Sequence, residues 1–271
     1  MRVVNLASGS SGNALVIDDG QDRVLVDCGI GPRILRQRLA DIDIPIDRLT
    51  ATLITHEHVD HVRGLAAVIK TGRPVYCTAG TARYAGIPYA GYQHVAAGIP
   101  IAVGALVITP LAISHDAAEP TGYIVAGAEA TVVIVTDTGV ADQIHLSAML
   151  AADLIVVEAN YDDGMLRNGP YPLHLKRRVA SSTGHLCNDD CADLVREVQR
   201  GTTRRPQIWL AHLSETNNRP EVAERTVRSV LEGASEPLLV EAMARHGGQS
   251  WRSGGPPPAP RAVQVCLPFA D

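Results

Sequence analysis

Short runs of apolar residues, separated by turns rich in glycine, serine and aspartate, dominate the first half of the chain. Runs of this length, bounded by turn residues, are typical of buried β-strands. A helix over residues 32–40, with Pro32 in its first turn, and another beginning near His61 interrupt the series. The pattern predicts strands over residues 2–6, 14–17, 24–26, 52–54, 74–77, 106–111, 123–126 and 131–136.

The second half of the chain has more helical spacing. Apolar residues recur three and four positions apart along residues 188–200, which predicts an amphipathic helix there. Further helices are predicted over residues 141–150 and 220–231, the latter capped by Asn218. Short strands separate these helices, at residues 153–157 and 207–210.

Strands in two blocks, with helices between and after them, predict an α/β protein of the α+β type, in which helices cover two packed sheets. No internal repeat or linker divides residues 1–246, so these are predicted to form a single domain. Residues 247–271 are rich in glycine and proline and are predicted to be a loose C-terminal extension.

Composition narrows the class of protein. The 271 residues are 46% hydrophobic and 20% charged, as expected of a globular protein. The formal net charge of −5 argues against binding nucleic acid by bulk electrostatics, so any such role must rest on a local site. Five cysteines, with no pair spaced as C-x-x-C, argue against a disulfide framework.

One uncharged stretch is nearly long enough for a membrane span. Residues 95–113 carry no charge, but they are interrupted by Gly98, Pro100, Gly104 and Pro110. Two short strands with a turn explain this pattern better. Residues 1–15 also lack the apolar run of a signal peptide. The chain is therefore expected to be cytoplasmic, with no membrane association.

Four candidate metal ligands lie close together directly after an apolar strand. His56 and His58 alternate, so an extended segment projects both to one side, and Asp60 and His61 then begin a helix. Imidazole and carboxylate ligands without thiolates suit zinc, manganese or iron. A surface cluster of polar residues is the alternative, but three of only ten histidines fall in this segment. Glu57 is expected to point away from the metals.

Four more polar residues follow predicted strands at similar positions. They are Asp27, His115, Asp137 and His212. A single histidine after a strand is more often an ordinary loop residue. Together with the 56–61 segment, however, these residues predict a ligand set at one edge of a layered fold, where ligand sites often lie.

The H-x-H-x-D-H segment and the strand-end residues together resemble the metallo-β-lactamase superfamily over nearly the whole chain. The resemblance implies an αββα sandwich with a dinuclear metal site at its edge. The first ion would be held by His56, His58 and His115. The second ion would be held by Asp60, His61 and His212. Asp137 would bridge both ions, and Asp27 would brace the ligand loop without touching a metal.

Further motifs are similar to those of the YycJ/WalJ-like subgroup of this superfamily. Secreted β-lactamases, β-CASP nucleases with an inserted domain and ribonuclease Z with its long arm all fit less well. Cys187 stands where serine is expected and Tyr161 where histidine is common, which bears only on substrate detail. The motifs are LASGSSGN at 6–13, EANYD at 158–162, ML at 165–166, GPYP at 169–172, LKRR at 175–178, GHLCN at 184–188 and LSETNN at 213–218.

The subgroup resemblance implies a metal-dependent hydrolase of phosphodiester bonds, and in particular a 5′→3′ DNA exonuclease, with DNA favoured over RNA. Two divalent ions, zinc or manganese with iron as a further candidate, would share a hydroxide that attacks phosphorus. Asp60 or Asp137 would orient this hydroxide. The alternative is a small-ester or thioester hydrolase, or a small-molecule phosphodiesterase, on the same dinuclear site. A non-enzymatic metal-stabilised protein fits worse, since structural sites usually need only four ligands.

Polar residues beside the predicted ligands are candidates for binding substrate. A loop with amide and hydroxyl donors can cradle a phosphate, although an ordinary strand turn explains it equally well. His185 is a candidate to contact a substrate phosphate or to protonate the leaving oxygen. The loop candidates are Ser8, Ser10, Ser11 and Asn13.

Three other features give weaker indications of function. Ser214 and Asn217 follow His212 and are expected to shape the pocket. Basic runs at residues 176–178 and 200–205 are candidate nucleic-acid contacts, although a solvated face is the more ordinary interpretation. The spacing of Cys187 and Cys191 indicates an inward helix face rather than a metal site.

Overall fold

Two seven-stranded sheets form the centre of the computed structural model, which describes residues 1–254. In the first sheet the strand order is β14-β1-β2-β3-β4-β5-β6, and in the second it is β13-β12-β11-β10-β9-β8-β7. The first sheet comprises β1 Arg2–Ala7, β2 Ala14–Asp18, β3 Arg23–Val26, β4 Ala51–Leu53, β5 Val75–Cys77, β6 Gln93–His94 and β14 Ser250–Arg252. The second comprises β7 Ile101–Val103, β8 Leu106–Ala112, β9 Thr121–Ala126, β10 Thr131–Val135, β11 Leu154–Glu158, β12 Gln207–Ala211 and β13 Val240–Ala242.

Helices cover the outer faces of both sheets. Two single turns of 3₁₀-helix accompany them, at Ile46–Arg48 and Tyr89–Gly91. The α-helices are α1 Pro32–Ala40, α2 Val59–Val62, α3 Leu65–Ile69, α4 Ala79–Tyr84, α5 Gln143–Leu150, α6 Asp163–Asn168, α7 Leu173–Val179, α8 Asn188–Gly201 and α9 Pro220–Ser229.

Three apolar layers hold these elements together. Between the sheets, Ile17 of β2 belongs to the same buried cluster as Ile108 of β8 and Trp209 of β12. A second cluster packs α1, α3 and α4 on the first sheet, and a third packs α5, α8 and α9 on the second. Because strand side chains alternate between faces, each sheet contributes to two layers. The predicted αββα sandwich is confirmed.

Several predicted elements agree closely with the structure. The helix α1 has the bounds expected from its proline and apolar spacing. Within the uncharged stretch, β7 and β8 form an antiparallel pair with Val103 opposite Leu106, which is the predicted pair of strands with a turn. No helix within residues 1–254 is both long and apolar enough to cross a bilayer.

Two predictions need correction. Residues 250–252 are not part of a loose tail, because they form β14, which pairs with β1 and places Trp251 opposite Val3. The rest of the proposed extension, residues 255–271, lies outside the described residues. Asn218 does not cap α9, since the N-cap position is Arg219 and has no side-chain cap. The Asn218 amide instead exchanges two hydrogen bonds with Asn188 at the start of α8.

The direction of the strands determines where the site forms. In the first sheet β3, β4, β5 and β6 run parallel, and in the second β10, β11, β12 and β13 do. The segments that leave the carboxyl ends of β4, β8, β10 and β12 carry the candidate ligands, and Asp27 follows β3. Polar residues that follow these strands therefore meet at one edge of the sandwich.

Candidate metal centre

Every predicted metal ligand lies at this edge of the sandwich. His56 and His58 lie in the loop after β4, and Asp60 and His61 lie on α2 directly beyond it. The other three ligands each follow a strand of the second sheet, His115 after β8, Asp137 after β10 and His212 after β12. Five of the seven side chains are buried, with His58 and Asp60 partly exposed.

Three of the strand ends adopt a left-handed backbone. Asp27, Asp137 and His212 have φ values of 58°, 57° and 54°. Such values are uncommon outside glycine and cost on the order of 1–3 kcal/mol each when the surroundings enforce them. Each turn redirects the chain immediately after a buried strand. The strain is therefore concentrated at residues that are candidate ligands or contact one.

The ligand atoms fall into overlapping groups whose members lie within 4.8 Å of one another. One group is His56, His58 and His115. Another is Asp60, His61 and His212. A third joins Asp137 to His56 and His61, which places this carboxylate between the first two groups.

Four histidines use one ring nitrogen for a protein contact and turn the other toward the centre. Such contacts fix the ring orientation, and histidines that bind metals are commonly held in this way. The contacts of the Nδ1 atoms are Thr55 Oγ1 for His56 at 3.0 Å, Asp27 Oδ2 for His61 at 2.7 Å, the Gly184 carbonyl for His115 at 3.0 Å and Glu158 Oε1 for His212 at 2.9 Å.

Asp27 braces the ligand loop from the first sheet. One carboxylate oxygen accepts a hydrogen bond from the backbone N–H of Thr55 at 2.9 Å, and the other contacts His61. Asp27 thereby ties the end of β3 to the 55–61 segment. Its location agrees with the role expected for it.

Glu158 is a site residue that sequence reasoning did not assign. It ends β11 with its side chain fully buried, and its Oε1 lies 2.9 Å from His212 Nδ1 and 2.8 Å from His185 Nδ1. Its Oε2 also accepts the backbone N–H of Thr138, next to Asp137. The sequence did contain a signal for this role, because Glu158 is a charged residue at the end of an otherwise apolar strand. In a parallel sheet such a residue reaches the same edge as Asp137.

Buried carboxylates and histidines shift one another's pKa values at the centre. Burial disfavours ionisation of Asp137, yet His212 and His61 hold its pKa well below the usual range. Burial also opposes a charge on His212, but Asp137, Asp60 and Glu158 raise its pKa to about 10. For His56, burial and then the neighbouring His61 lower the pKa well below its ordinary value.

Two buried atoms at the centre make no hydrogen bond with the described residues. They are Nε2 of His56 and Oδ2 of Asp137. The Asp137 oxygen lies 3.3 Å from His61 Nε2 without hydrogen-bond geometry. Buried polar atoms without partners are costly, and divalent cations satisfy just such nitrogen and oxygen donors. The residues fit a divalent-metal-binding site.

The glycine–serine loop before β2 lies against this centre. The Ser8 hydroxyl accepts the backbone N–H of His212 at 2.9 Å, and Asn13 Nδ2 lies 3.1 Å from His61 Nε2. Ser10 and Ser11 are exposed. Ser8 and Asn13 thus support ligands, while Ser10 and Ser11 present free surface.

The residues after His212 are less accessible. Ser214 and Asn217 are both buried, and the Ser214 hydroxyl accepts the backbone N–H of Asn217 at 3.1 Å. They shape the loop that carries His212.

His185 is partly exposed, and its ring centroid lies 5.1 Å from that of His115 and 5.2 Å from that of His212.

Other candidates lie away from the centre. The Glu57 carboxylate points away, as expected, and accepts the backbone N–H of Ala118 at 2.8 Å. Cys191 is fully buried in the core, and Cys187 Sγ caps α8 by accepting the backbone N–H of Asp190. Arg204 pairs with Asp153, which precedes β11 at the opposite edge of the sheet. The 200–205 run therefore lies far from the metal centre.

This fold, with His and Asp ligands at the ends of its strands, defines a metal-dependent hydrolase. Residues 22–208 match the family described as the beta-lactamase superfamily domain. The chain belongs to the metallo-β-lactamase superfamily, within its YycJ/WalJ-like subgroup.

Two relatives place it in that subgroup. The chain is 33% identical over 240 residues to exodeoxyribonuclease YycJ of Bacillus anthracis, covering 84% of this chain and 88% of that protein. It is 34% identical over 230 residues to exodeoxyribonuclease WalJ of Streptococcus pneumoniae serotype 2, covering 82% of this chain and 85% of that protein.

Solved structures agree on the fold. The metallo-β-lactamase fold protein YhfI of Bacillus subtilis superposes with a TM-score of 0.72 at 18% identity, covering 93% of this chain and 99% of that one. Zinc-bound PqqB of Methylobacterium extorquens gives a TM-score of 0.65 at 17% identity, covering 93% of this chain and all of that one (100%).

Proposed function

We propose that the chain is a dinuclear metal-dependent exonuclease that degrades DNA from its 5′ end. The observation that carries the proposal is the position of Asp137 between two groups of three ligands. That arrangement suits two cations sharing one carboxylate. The substrate class is supported by the relatives, both named exodeoxyribonucleases.

In this proposal one ion would be held by His56, His58 and His115 and the other by Asp60, His61 and His212, with Asp137 as a ligand that the two groups would share. Zinc and manganese fit the imidazole and carboxylate donors, with iron as a further candidate. When bound, two such ions lower the pKa of a water nucleophile and stabilise the attacking and leaving oxygens of a phosphodiester.

The protein's own residues would orient the nucleophile and transfer the proton to the leaving group. Asp60 or Asp137 would orient the hydroxide that attacks phosphorus. His185 would protonate the leaving oxygen, a role supported by its contact with Glu158 at 2.8 Å and by its partial exposure. Glu158 also contacts His212, so one carboxylate positions both the proton donor and a ligand.

Metal analysis tests the dinuclear assignment. Protein purified without chelator is expected to contain about two divalent ions per chain. The Asp60→Ala, His212→Ala double variant is expected to retain about one, because the group of His56, His58 and His115 is left intact. Elemental analysis by mass spectrometry is the measurement. An unchanged content in the double variant would contradict the assignment.

The 5′ end is proposed to bind at the glycine–serine loop. Ser10 and Ser11 are exposed there, and the guanidinium of Arg63 donates to the Ser11 carbonyl at 2.9 Å. Because Arg63 lies just beyond α2, this loop combines hydroxyls, amides and a cation directly beside the second ion group. A terminal phosphate suits such a pocket.

We therefore expect 5′-phosphorylated single strands to be degraded faster than 5′-hydroxyl strands. The Ser11→Ala, Arg63→Gln double variant is expected to lose this preference by about 10-fold or more, with metal content unchanged. Arg204→Gln, which removes the same charge at the opposite edge of the sheet, is the control. Rates on the two strand types are compared by gel electrophoresis. Efficient cutting of closed circular single strands would overturn the end-anchored proposal.

A further inference from the structure

A surface arginine reaches the rim of the metal centre from the last turn of α7. Its Nε donates to Asp116 Oδ2 at 2.6 Å, and Asp116 directly follows His115. The other oxygen of Asp116 lies 3.5 Å from His115 Nε2, the nitrogen that faces the centre. Arg178 is thus separated from the metal-facing atom of His115 by a single carboxylate.

Asp116 holds the Arg178 guanidinium in place, and the rest of the guanidinium remains available to bind a ligand. The Arg178 side chain is 57% exposed, and within residues 1–254 only its Nε makes a hydrogen bond. Both terminal amino groups are therefore without a hydrogen bond to these residues. These are the two groups that bind the oxygens of a phosphate in parallel.

The backbone around this pair is fixed to the metal loop. Three successive residues of the loop after β8 contact α7 or the segment that follows it. Ser114 Oγ donates to the Ser182 carbonyl at 2.8 Å, and His115 contacts the Gly184 carbonyl. The ion pair of Asp116 with Arg178 is the third contact. Arg178 therefore keeps a defined position relative to His115.

The other cations of the basic run lack this geometry. Lys176 donates its Nζ to the Arg167 carbonyl, on the side of α6. Arg177 is exposed and makes no ion pair with the described residues. Arg178 is the member of the run that is oriented by a residue adjoining a candidate ligand.

We infer that Arg178 binds a phosphate of the DNA strand next to the scissile one, and that Asp116 is the positioning residue that aims it. This inference rests on the proposed nuclease function and deepens it. Because Asp116 separates Arg178 from the candidate ligand His115, a polynucleotide would extend to the guanidinium, whereas a substrate with a single phosphodiester held at the ligands would not. Arg178 then favours DNA over small diesters at the same metal centre.

Two substrates separate this role from general damage to the site. For the metal-loaded protein, Arg178→Gln is expected to lower kcat/KM on a 5′-phosphorylated single strand about 10- to 100-fold. Hydrolysis of bis(p-nitrophenyl) phosphate, which has one phosphate, is expected to stay within about twofold. Arg177→Gln, which removes the neighbouring charge from the same helix, is expected to behave like the parent on both.

Binding supplies a readout that does not depend on turnover. With a phosphorothioate-linked single strand, the slope of log affinity against log salt is expected to fall by about 0.7 in Arg178→Gln, as for one lost phosphate contact. Asp116→Asn is expected to raise KM for DNA more than it lowers kcat. The double variant is expected to lose no more than Arg178→Gln alone, since the two residues act as a unit.

Several results would overturn the inference. Equal losses in Arg178→Gln and Arg177→Gln would show that only bulk charge matters. Equal losses on DNA and on bis(p-nitrophenyl) phosphate would place Arg178 in the support of the metal centre instead. A parent protein that cleaves the small diester but no DNA would contradict the proposed function itself, and that failure is distinguishable from the first two.

Discussion

Replacement of Asp137 by asparagine is expected to lower DNA hydrolysis by about a thousandfold, equivalent to about 4 kcal/mol of activation free energy. The variant keeps the shape of the side chain but removes the negative charge that lies between the two ligand groups. A neutral amide cannot compensate two neighbouring cations, so the metal content is expected to fall as well. Steady-state kinetics and elemental analysis of the same preparation measure both effects.

Asp27→Asn is the matched comparison for Asp137. Asp27 is also a buried aspartate at a left-handed strand end, but it contacts His61 and Thr55 rather than the centre. Its replacement is expected to cost only about 10- to 100-fold through the orientation of His61. If Asp27 proves far more critical than Asp137, the roles assigned to these two carboxylates are reversed.

Replacement of Gly29 by alanine is expected to destabilise the fold by more than about 3 kcal/mol and to lower metal content and activity with it. A Cβ at this position would lie 1.5 Å from the carbonyl oxygen of Asp60 and 2.7 Å from the amide nitrogen of Asn13. These two atoms are hydrogen-bonded to each other at 2.8 Å, so neither can move alone. The added methyl group therefore displaces α2 together with its ligands.

A second glycine provides the control. Gly31 precedes α1, two residues further along the chain, and a Cβ there meets no atom within 4 Å. Gly31→Ala is expected to unfold at a temperature close to that of the parent and to retain its metal. Thermal unfolding followed by circular dichroism, with metal analysis, compares the two variants. Similar behaviour of both would mean that the Gly29 segment can relax away from Asp60.

The sandwich fold and the grouping of the candidate site residues could be predicted from the sequence for physical reasons. His56, His58, Asp60 and His61 are adjacent in the chain, so strand and helix geometry alone predicts that they converge. Asp137 and His212 follow long apolar strands, which are strong local signals. Once the strands are parallel, their carboxyl ends must meet at one edge.

What sequence reasoning missed depends on contacts distant in the chain. β14 is three residues long and is a strand only because β1 lies beside it, so glycine and proline composition favoured a tail. Asn218 was expected to cap a helix, a local role, but its amide pairs with Asn188 across the structure. In the sequence Arg178 is one member of a basic run, and only the structure shows that Asp116 orients its guanidinium.

At the left-handed strand ends, the backbone conformation and the metal centre favour different residues. At residue 137, glycine would relieve a backbone conformation that costs on the order of 1–3 kcal/mol, whereas only a carboxylate makes the favourable contacts with His212 and His61. The residue best suited to that turn is thus one that cannot hold a cation. The backbone turn alone therefore favours glycine at residue 137, so laboratory evolution of this protein toward robustness needs a simultaneous requirement for turnover.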